Sequence, residues 1–187
     1  MAAQLACDAV AGVNGVVGPI PSGADPEQYD KLRRRVMWAM PSGLYLIGSA
    51  AGDEANLMTA NWVTQVSSEP KLIAASIETE AVTRRLVADS GSFCVSILAR
   101  EDRPVVRHFS KPAAWDPDAK TLHGHPVQMH HGLPVLASAV AWLLCHVRQQ
   151  IELGSHVLFV GEVADCWAKD DIGDVLRMED TRMSYGG

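Results

Sequence analysis

The sequence predicts a mostly β chain with a few helices, its strands arranged as a closed or partly closed antiparallel barrel. Three observations predict it. Residues 145–153 read Cys-His-Val-Arg-Gln-Gln-Ile-Glu-Leu, close to the period-two alternation of a half-buried strand. Further strand-like runs follow one another with one short helix inserted among them, which suits an antiparallel sheet better than a doubly wound one. Gly12, Gly15 and Gly18 have no strand before them, and Pro19 interrupts any helix after them, so they form no dinucleotide fingerprint. No Gly-Lys-Ser/Thr phosphate loop occurs either, so a nicotinamide used here binds without a Rossmann domain.

Taken in order, residues 1–24 are small, Gly-rich and punctuated by proline, a flexible leader, and residues 25–187 form one domain. Asp25-Pro26-Glu27-Gln28 reads as a helix start: an N-cap Asp, Pro at the first helical position, and Gln three residues after the cap. That helix is expected to run to about Met40 and stop at Pro41-Ser42-Gly43. Strands are expected over residues 44–49, 57–67 and 72–77, then a helix over 81–89 closed by Gly91, then a strand over 93–98. Residues 102–132 read as irregular, with one short helix around 105–109. Two strands follow, 145–153 and 156–167, the second broken by Gly161, which signals a bulge or a close backbone approach. Residues 140–144 are apolar on both faces, as in a strand buried on two sides, and are consistent with a dimer.

The bulk numbers exclude several classes. A net charge of -6 over 187 residues argues against nucleic acid as a partner, since phosphate backbones need a basic face. The most apolar stretch, residues 137–145, is far shorter than the roughly 20 residues of a membrane span. Cys7, Cys94, Cys145 and Cys166 are widely spaced without a Cys-x-x-Cys pair, which suggests neither a disulfide framework nor a thiolate zinc site. The N-terminus lacks the charged start of a signal peptide, and the expected setting is cytoplasmic.

Residues 57–67 carry the most chemistry. As one strand they place Thr59, Asn61, Gln65 and Ser67 on one face and Met58, Ala60, Trp62 and Val66 on the other. The polar face holds amides and hydroxyls but no charge, which suits a neutral, flat ligand with alternating donors and acceptors, such as the pyrimidine edge of an isoalloxazine. The same pattern also fits an ordinary half-buried strand. A helix starting near Thr79-Glu80-Ala81-Val82-Thr83-Arg84-Arg85 offers free N–H groups, the Thr83 hydroxyl and two arginines to a phosphate. The alternative is that Thr79 caps the helix and the arginines face water.

Met58-Thr59-Ala60-Asn61-Trp62, Gln65-Val66-Ser67 and Glu69-Pro70 resemble the FMN-contacting segment of the flavin reductase-like family. The likeness continues through Ser76-Ile77, Thr83, residues 90–98 and residues 154–163, and spans roughly residues 38 to 168 in register. It implies an antiparallel split β-barrel, homodimeric, with non-covalent FMN (FAD also fits) near the subunit interface and NAD(P)H as co-substrate. By that resemblance Thr59, Ala60, Asn61, Trp62 and Ser67 contact the ring and ribityl chain, and Met58 and Val66 belong to the same segment. Ser76 and Thr83 hold the phosphate, His156 lies on the nicotinamide side, and Tyr185 is the aromatic residue the family places by the flavin. Ser155 stands where the family usually has Asp, and no Arg stands two residues before Thr83, so Arg84 or Arg85 substitutes or backbone groups suffice.

The implied activity is hydride transfer from NAD(P)H to flavin, with free flavin, oxygen or a partner protein such as a monooxygenase accepting the electrons. The cofactors carry that chemistry, so no triad is required. The alternative is a flavin-bearing electron carrier with no nicotinamide site of its own, which the missing acid at position 155 favours. His123, His125, His130 and His131 raise a third reading, a metal site, against which stand the absence of a nearby acidic companion and the loop-like Pro126 and Gly132. No metal is expected.

Overall fold

A computed structural model describes residues 18–183; the expectations placed on Tyr185, Cys7, Gly12 and Gly15 lie outside the described residues. The chain divides into two compact units, the first containing helix α1 (Pro26–Trp38) and the second running from Ser42 to Arg182. In α1 the N-cap Asp25 accepts from the Gln28 N–H at 2.9 Å, with Pro26 in the first turn, as the local sequence requires. The helix ends at Trp38, earlier than expected, with Ala39 as its C-cap.

The second unit is built on seven antiparallel strands: β1 (Tyr45–Ala51), β2 (Glu54–Ala60), β3 (Val63–Ser68), β4 (Lys71–Glu78), β5 (Ser92–Ile97), β10 (Ala141–Leu153) and β11 (His156–Ala168). Their spatial order is β2-β1-β5-β10-β11-β4-β3. Consecutive strands β2 and β3 therefore lie at opposite edges, with only Asn61 and Trp62 between them. A flat seven-stranded sheet would put its edges about 29 Å apart, six spacings of about 4.8 Å. The link from Ala60 to Val63 can reach at most about 11 Å. The sheet must curl, and its two edges approach each other at this link. The Ser76 N–H of β4 donates to the Trp62 carbonyl at 3.0 Å and pins it there.

This corrects the reading of residues 57–67 as one strand. Thr59 belongs to one edge of the sheet and Gln65 and Ser67 to the other, and a register shift between Gln65 and Ser67 restarts the alternation again. The concave interior is filled by Ile47, Ile77, Val87, Phe93, Val95, Val157 and Phe159, all essentially inaccessible. Helix α2 (Val82–Ser90) packs against β1 and β2 through buried Leu86 and Val87 and stops at Gly91 in the left-handed conformation.

Much of the stretch expected to be irregular, residues 102–132, instead belongs to a four-stranded antiparallel meander over residues 115–136: β6 (Trp115–Asp116), β7 (Thr121–Leu122), β8 (His125–His130) and β9 (Leu133–Leu136). Strands of two to six residues are too short to show a period, and the Asp116 carboxylate that accepts from the Asp118 and Ala119 N–H groups makes the segment look like a loop. The meander is fixed to the main sheet by Cys94 Sγ–H donating to the Pro134 carbonyl at 2.7 Å and Leu136 N–H donating to Ser96 Oγ at 3.2 Å. Trp142 on β10 meets the His130 ring of β8, with centroids 4.5 Å apart. The apolar burial of residues 140–144 is thus satisfied within the chain and gives no support to a dimer.

Gly161 in β11 pairs with Val147 where the β10–β11 register shifts between Val147 and Gln149, the expected bulge, and it is side chains rather than a backbone that approach it closely. A Cβ there would lie 2.5 Å from Phe93 Cε1 and 2.8 Å from Cys145 Cβ. Both neighbours are buried core groups with no room to retreat. Gly161→Ala is expected to destabilise the protein by about 1–3 kcal/mol, the range for overpacking, measured as a fall in the urea midpoint at unchanged m-value.

Candidate functional site

The link at Asn61–Trp62 carries the residues that the two sheet edges bring together. Ala60 is buried at the end of β2 and Met58 packs against the core. Thr59 donates its Oγ1–H to the Val106 carbonyl at 2.5 Å, which ties β2 to the short 3₁₀ segment Val105–Ser110. Asn61 is 8% exposed and its Nδ2 reaches Ser42 Oγ at 3.5 Å. Trp62 remains 36% exposed. Its ring lies against that of His156, with centroids 4.8 Å apart and planes tilted by 52°.

His156 opens β11 directly opposite Glu78 of β4, and Leu158, two residues on, pairs with Ser76. The curl therefore collects Ala60, Asn61, Trp62, Ser76 and His156 in one place. Ser155 Oγ lies 2.9 Å from His156 Nδ1, so the serine that replaces the expected acid still has a hydroxyl in position to orient the ring. Val66 and Ser67 are not part of this group. They sit at the far end of β3, roughly 15 Å from Trp62 along the strand, where Val66 is exposed and Ser67 Oγ accepts from the Glu69 N–H at 3.3 Å.

Helix α2 begins without a side-chain cap. Its N-cap is Ala81, and Thr79, the expected cap, instead donates its hydroxyl to the Gly154 carbonyl at 3.3 Å and its N–H to the Ser155 carbonyl at 3.0 Å. The first-turn N–H groups and the positive end of the helix dipole are left without a side-chain partner, the arrangement that binds a phosphate. Thr83 cannot present its hydroxyl there. It is completely buried, and its Oγ1 accepts from Asn56 Nδ2 at 2.7 Å while Asn56 Oδ1 accepts from the Ala113 N–H at 2.8 Å. Thr83 thus anchors α2 to β2, and its backbone rather than its side chain lies in the first turn.

Arg84 carries the second phosphate-directed feature. Its guanidinium is 3.4 Å from Glu152 Oε1, yet its Nε is buried with no hydrogen-bond partner. A buried donor left unmet is costly and marks a place for an acceptor. Arg85 is committed elsewhere, to Glu54 and, at 3.6 Å, to Asp89, and the ion pair raises its pKa above the ordinary value. Asn56 is the site-shaping group that sequence reasoning did not single out, because its role is defined by packing between distant segments; of the two arginines offered to a phosphate, the structure leaves Arg84 Nε unmet and commits Arg85 elsewhere.

The four histidines do not come together. His130 stacks on Trp142, His131 Nε2 is 3.3 Å from Asp165 Oδ2, and His125 Nε2 is 2.7 Å from His108 Nδ1. Among the described residues no three His, Cys, Asp or Glu side chains converge on a point that could hold a metal ion. Nor, among them, is any helix long and apolar enough to cross a membrane.

Comparison with known proteins decides the lineage: residues 37–186 match the model of the flavin reductase like domain. The chain belongs to this family. It is 33% identical over 149 residues to an NADH-dependent flavin reductase of a Rhodococcus species, covering 78% of this chain and 81% of that one. Among solved structures it resembles the NADH:FAD oxidoreductase SgcE6 of Streptomyces globisporus in complex with NAD and FAD fragments, with TM-score 0.65, 30% identity, and coverage of 78% and 86%. It also resembles BorF, the flavin reductase component of a bacterial two-component tryptophan halogenase, with TM-score 0.65, 27% identity, and coverage of 75% and 88%.

The His108–His125 contact gives a pH prediction. Burial first, then the neighbouring His108 and His123, lower the pKa of His125 below 6.5. A depressed pKa favours the neutral ring in the folded state, so its stabilising contribution is present above pH 6.5 and is lost as pH falls through the folded value. Thermal stability is expected to drop below about pH 6.5, and His125→Gln is expected to flatten that drop; a parallel profile for the variant would contradict the assignment.

Proposed function

We infer that this chain is an NAD(P)H-dependent flavin reductase, an oxidoreductase that binds FMN or FAD without a covalent link. The observation that carries the reading is the uncapped first turn of α2 with the unmet Arg84 Nε beside it, on the same curled sheet as Asn61, Trp62 and His156. Those donors fit a flavin phosphate, and the neutral polar groups at Ala60–Trp62 fit the edge of the ring. Bound there, the flavin supplies an acceptor for hydride from the nicotinamide. The chain's own part is to hold and orient. The backbone and the Asn61 amide offer neutral donors and acceptors to the ring edge, and Trp62 and His156 form one wall of the space above it. Ser155 keeps the His156 ring turned, and His156 positions the nicotinamide.

The family's split barrel is the architecture proposed for the curled sheet, supported by the meeting of its edges at Asn61–Trp62. A homodimer is proposed on different grounds. Leu32 and Val36, one helical turn apart on α1, are 50% and 61% exposed, and Ile151 and Leu153 at the end of the β10–β11 hairpin are 42% and 54% exposed. Such apolar groups suit an interface. The flavin reduced here is proposed to serve a partner oxygenase or halogenase, as the likeness to BorF suggests, in a cytoplasmic setting that suits the buried thiols of Cys94 and Cys145.

The test is the visible spectrum of the flavin-loaded protein on anaerobic addition of NADH. Bleaching is expected, with KM for NADH raised about tenfold in His156→Ala, equivalent to about 1.4 kcal/mol, and flavin affinity unchanged. Bands that persist would instead support an electron carrier without its own nicotinamide site.

A further inference from the structure

The first turn of α2 is flanked by an acid that the flavin reading leaves unused. Glu152, near the end of β10, lies 3.4 Å from Arg84 Nη2 through its Oε1, and the same oxygen accepts from Gln150 Nε2 at 3.0 Å. Thr79 ties the segment before α2 to the turn after β10 through its bonds to the Gly154 and Ser155 carbonyls. Glu152 is therefore held beside the helix start from two sides. Its side chain is 58% exposed against 27% for Arg84, so the carboxylate is the more solvent-facing member of the pair.

The charge offered to a phosphate there is correspondingly small. Arg85, the other cation of the turn, is held by Glu54 and Asp89. What remains is the guanidinium of Arg84, shared at one end with Glu152 and unmet at its buried Nε, and the positive end of the helix dipole, worth about half a charge. Glu80, exposed one residue before the N-cap Ala81, adds to the negative side. Counting both carboxylates, the start of α2 carries no surplus of positive charge. Such a position separates phosphates by their ionisation. A terminal phosphomonoester carries a charge of about −1.5 to −2 at pH 7, whereas a phosphodiester carries a single one. Both offer oxygens to the free N–H groups and to Arg84. Only the monoester brings a further charge against Glu152, with Arg85 turned away from it.

We propose that Glu152 is a selectivity residue for the flavin: its charge ranks a phosphodiester above a terminal phosphomonoester at the start of α2, and so disfavours FMN relative to FAD. The proposal rests on the flavin reductase reading and on the phosphate position at α2. Glu152 acts through the guanidinium it shares with the ligand and needs no contact with the ring.

The experiment is calorimetric titration of riboflavin, FMN and FAD into the full chain and into Glu152→Gln, Glu152→Asp and Arg84→Gln. The amide of Glu152→Gln keeps the side-chain length and an oxygen for Arg84 while removing the charge. Its Kd for FMN is expected to fall about fivefold, the size of an added charge facing a partly exposed carboxylate, and that for FAD only about twofold, in line with the smaller ligand charge. Riboflavin, which has no phosphate, is expected to bind both proteins alike. Comparing each ligand with itself cancels whatever the adenosine half adds to FAD. Glu152→Asp, which retains the charge, is expected to keep the parental ratio of FMN to FAD affinity. Arg84→Gln is expected to weaken FMN and FAD and spare riboflavin. An unchanged FMN-to-FAD ratio in Glu152→Gln, or an equal gain for riboflavin, would overturn the proposal and leave the reductase reading standing. Undiminished FMN and FAD binding in Arg84→Gln would put the phosphate elsewhere and overturn it as well. Failure of all three flavins to bind the parent protein would contradict the flavin reductase reading itself.

Discussion

The two-residue link between β2 and β3 is the constraint on which the site depends. Strands adjacent in sequence occupy opposite edges of a seven-stranded sheet, and Asn61 and Trp62 alone connect them. Chain connectivity therefore forces the sheet to curl, and the curl places the end of β2, the start of β3, Ser76 of β4 and His156 of β11 around one point. None of these residues needs a neighbour in sequence to meet there. The core of Phe93, Phe159 and Ile77 fills the concavity and holds the curvature, and Gly161 lets the Phe93 ring lie against β11.

Polar groups complete what the curl begins. Asn56 is the buried junction among β2, α2 and the segment at Ala113, because its amide satisfies both Thr83 Oγ1 and the Ala113 N–H. A buried amide so engaged fixes α2 in both position and rotation. The consequence is that the uncapped first turn of α2 and the unmet Arg84 Nε face a defined place. Ser155 makes contact with His156 Nδ1 through its hydroxyl, a neutral partner that places no negative charge beside the ring.

What was legible in the sequence was local. The Asp25-Pro26-Gln28 start of α1 is a capping pattern read from four residues, and the bulge at Gly161 follows from a glycine inside a strand. The alternation in β10 and β11 showed antiparallel strands, and the ordered set of motifs pointed to the family. The break at Asn61–Trp62 was not legible, since the one turn-favouring residue, Asn61, stands inside an otherwise strand-like run and the reason for the break is the exchange of sheet edges. The meander over residues 115–136 was hidden by the brevity of its strands. Thr83 read as an exposed hydroxyl at a helix start, but its burial is decided by Asn56, 27 residues away. The contacts of the histidines were hidden for the same reason: His130 meets Trp142, His131 meets Asp165 and His125 meets His108, partners that spacing alone does not reveal.

The central claim is that the flavin is held where the sheet edges meet, with its phosphate at the start of α2. Backbone amide chemical shifts on addition of FMN test it most directly. The account predicts that the largest changes fall on Ala60, Asn61 and Trp62 and on Val82, Thr83 and Arg84, two groups distant in sequence. Saturable FMN binding that leaves both groups unmoved, with its shifts confined to the meander or to α1, would contradict it.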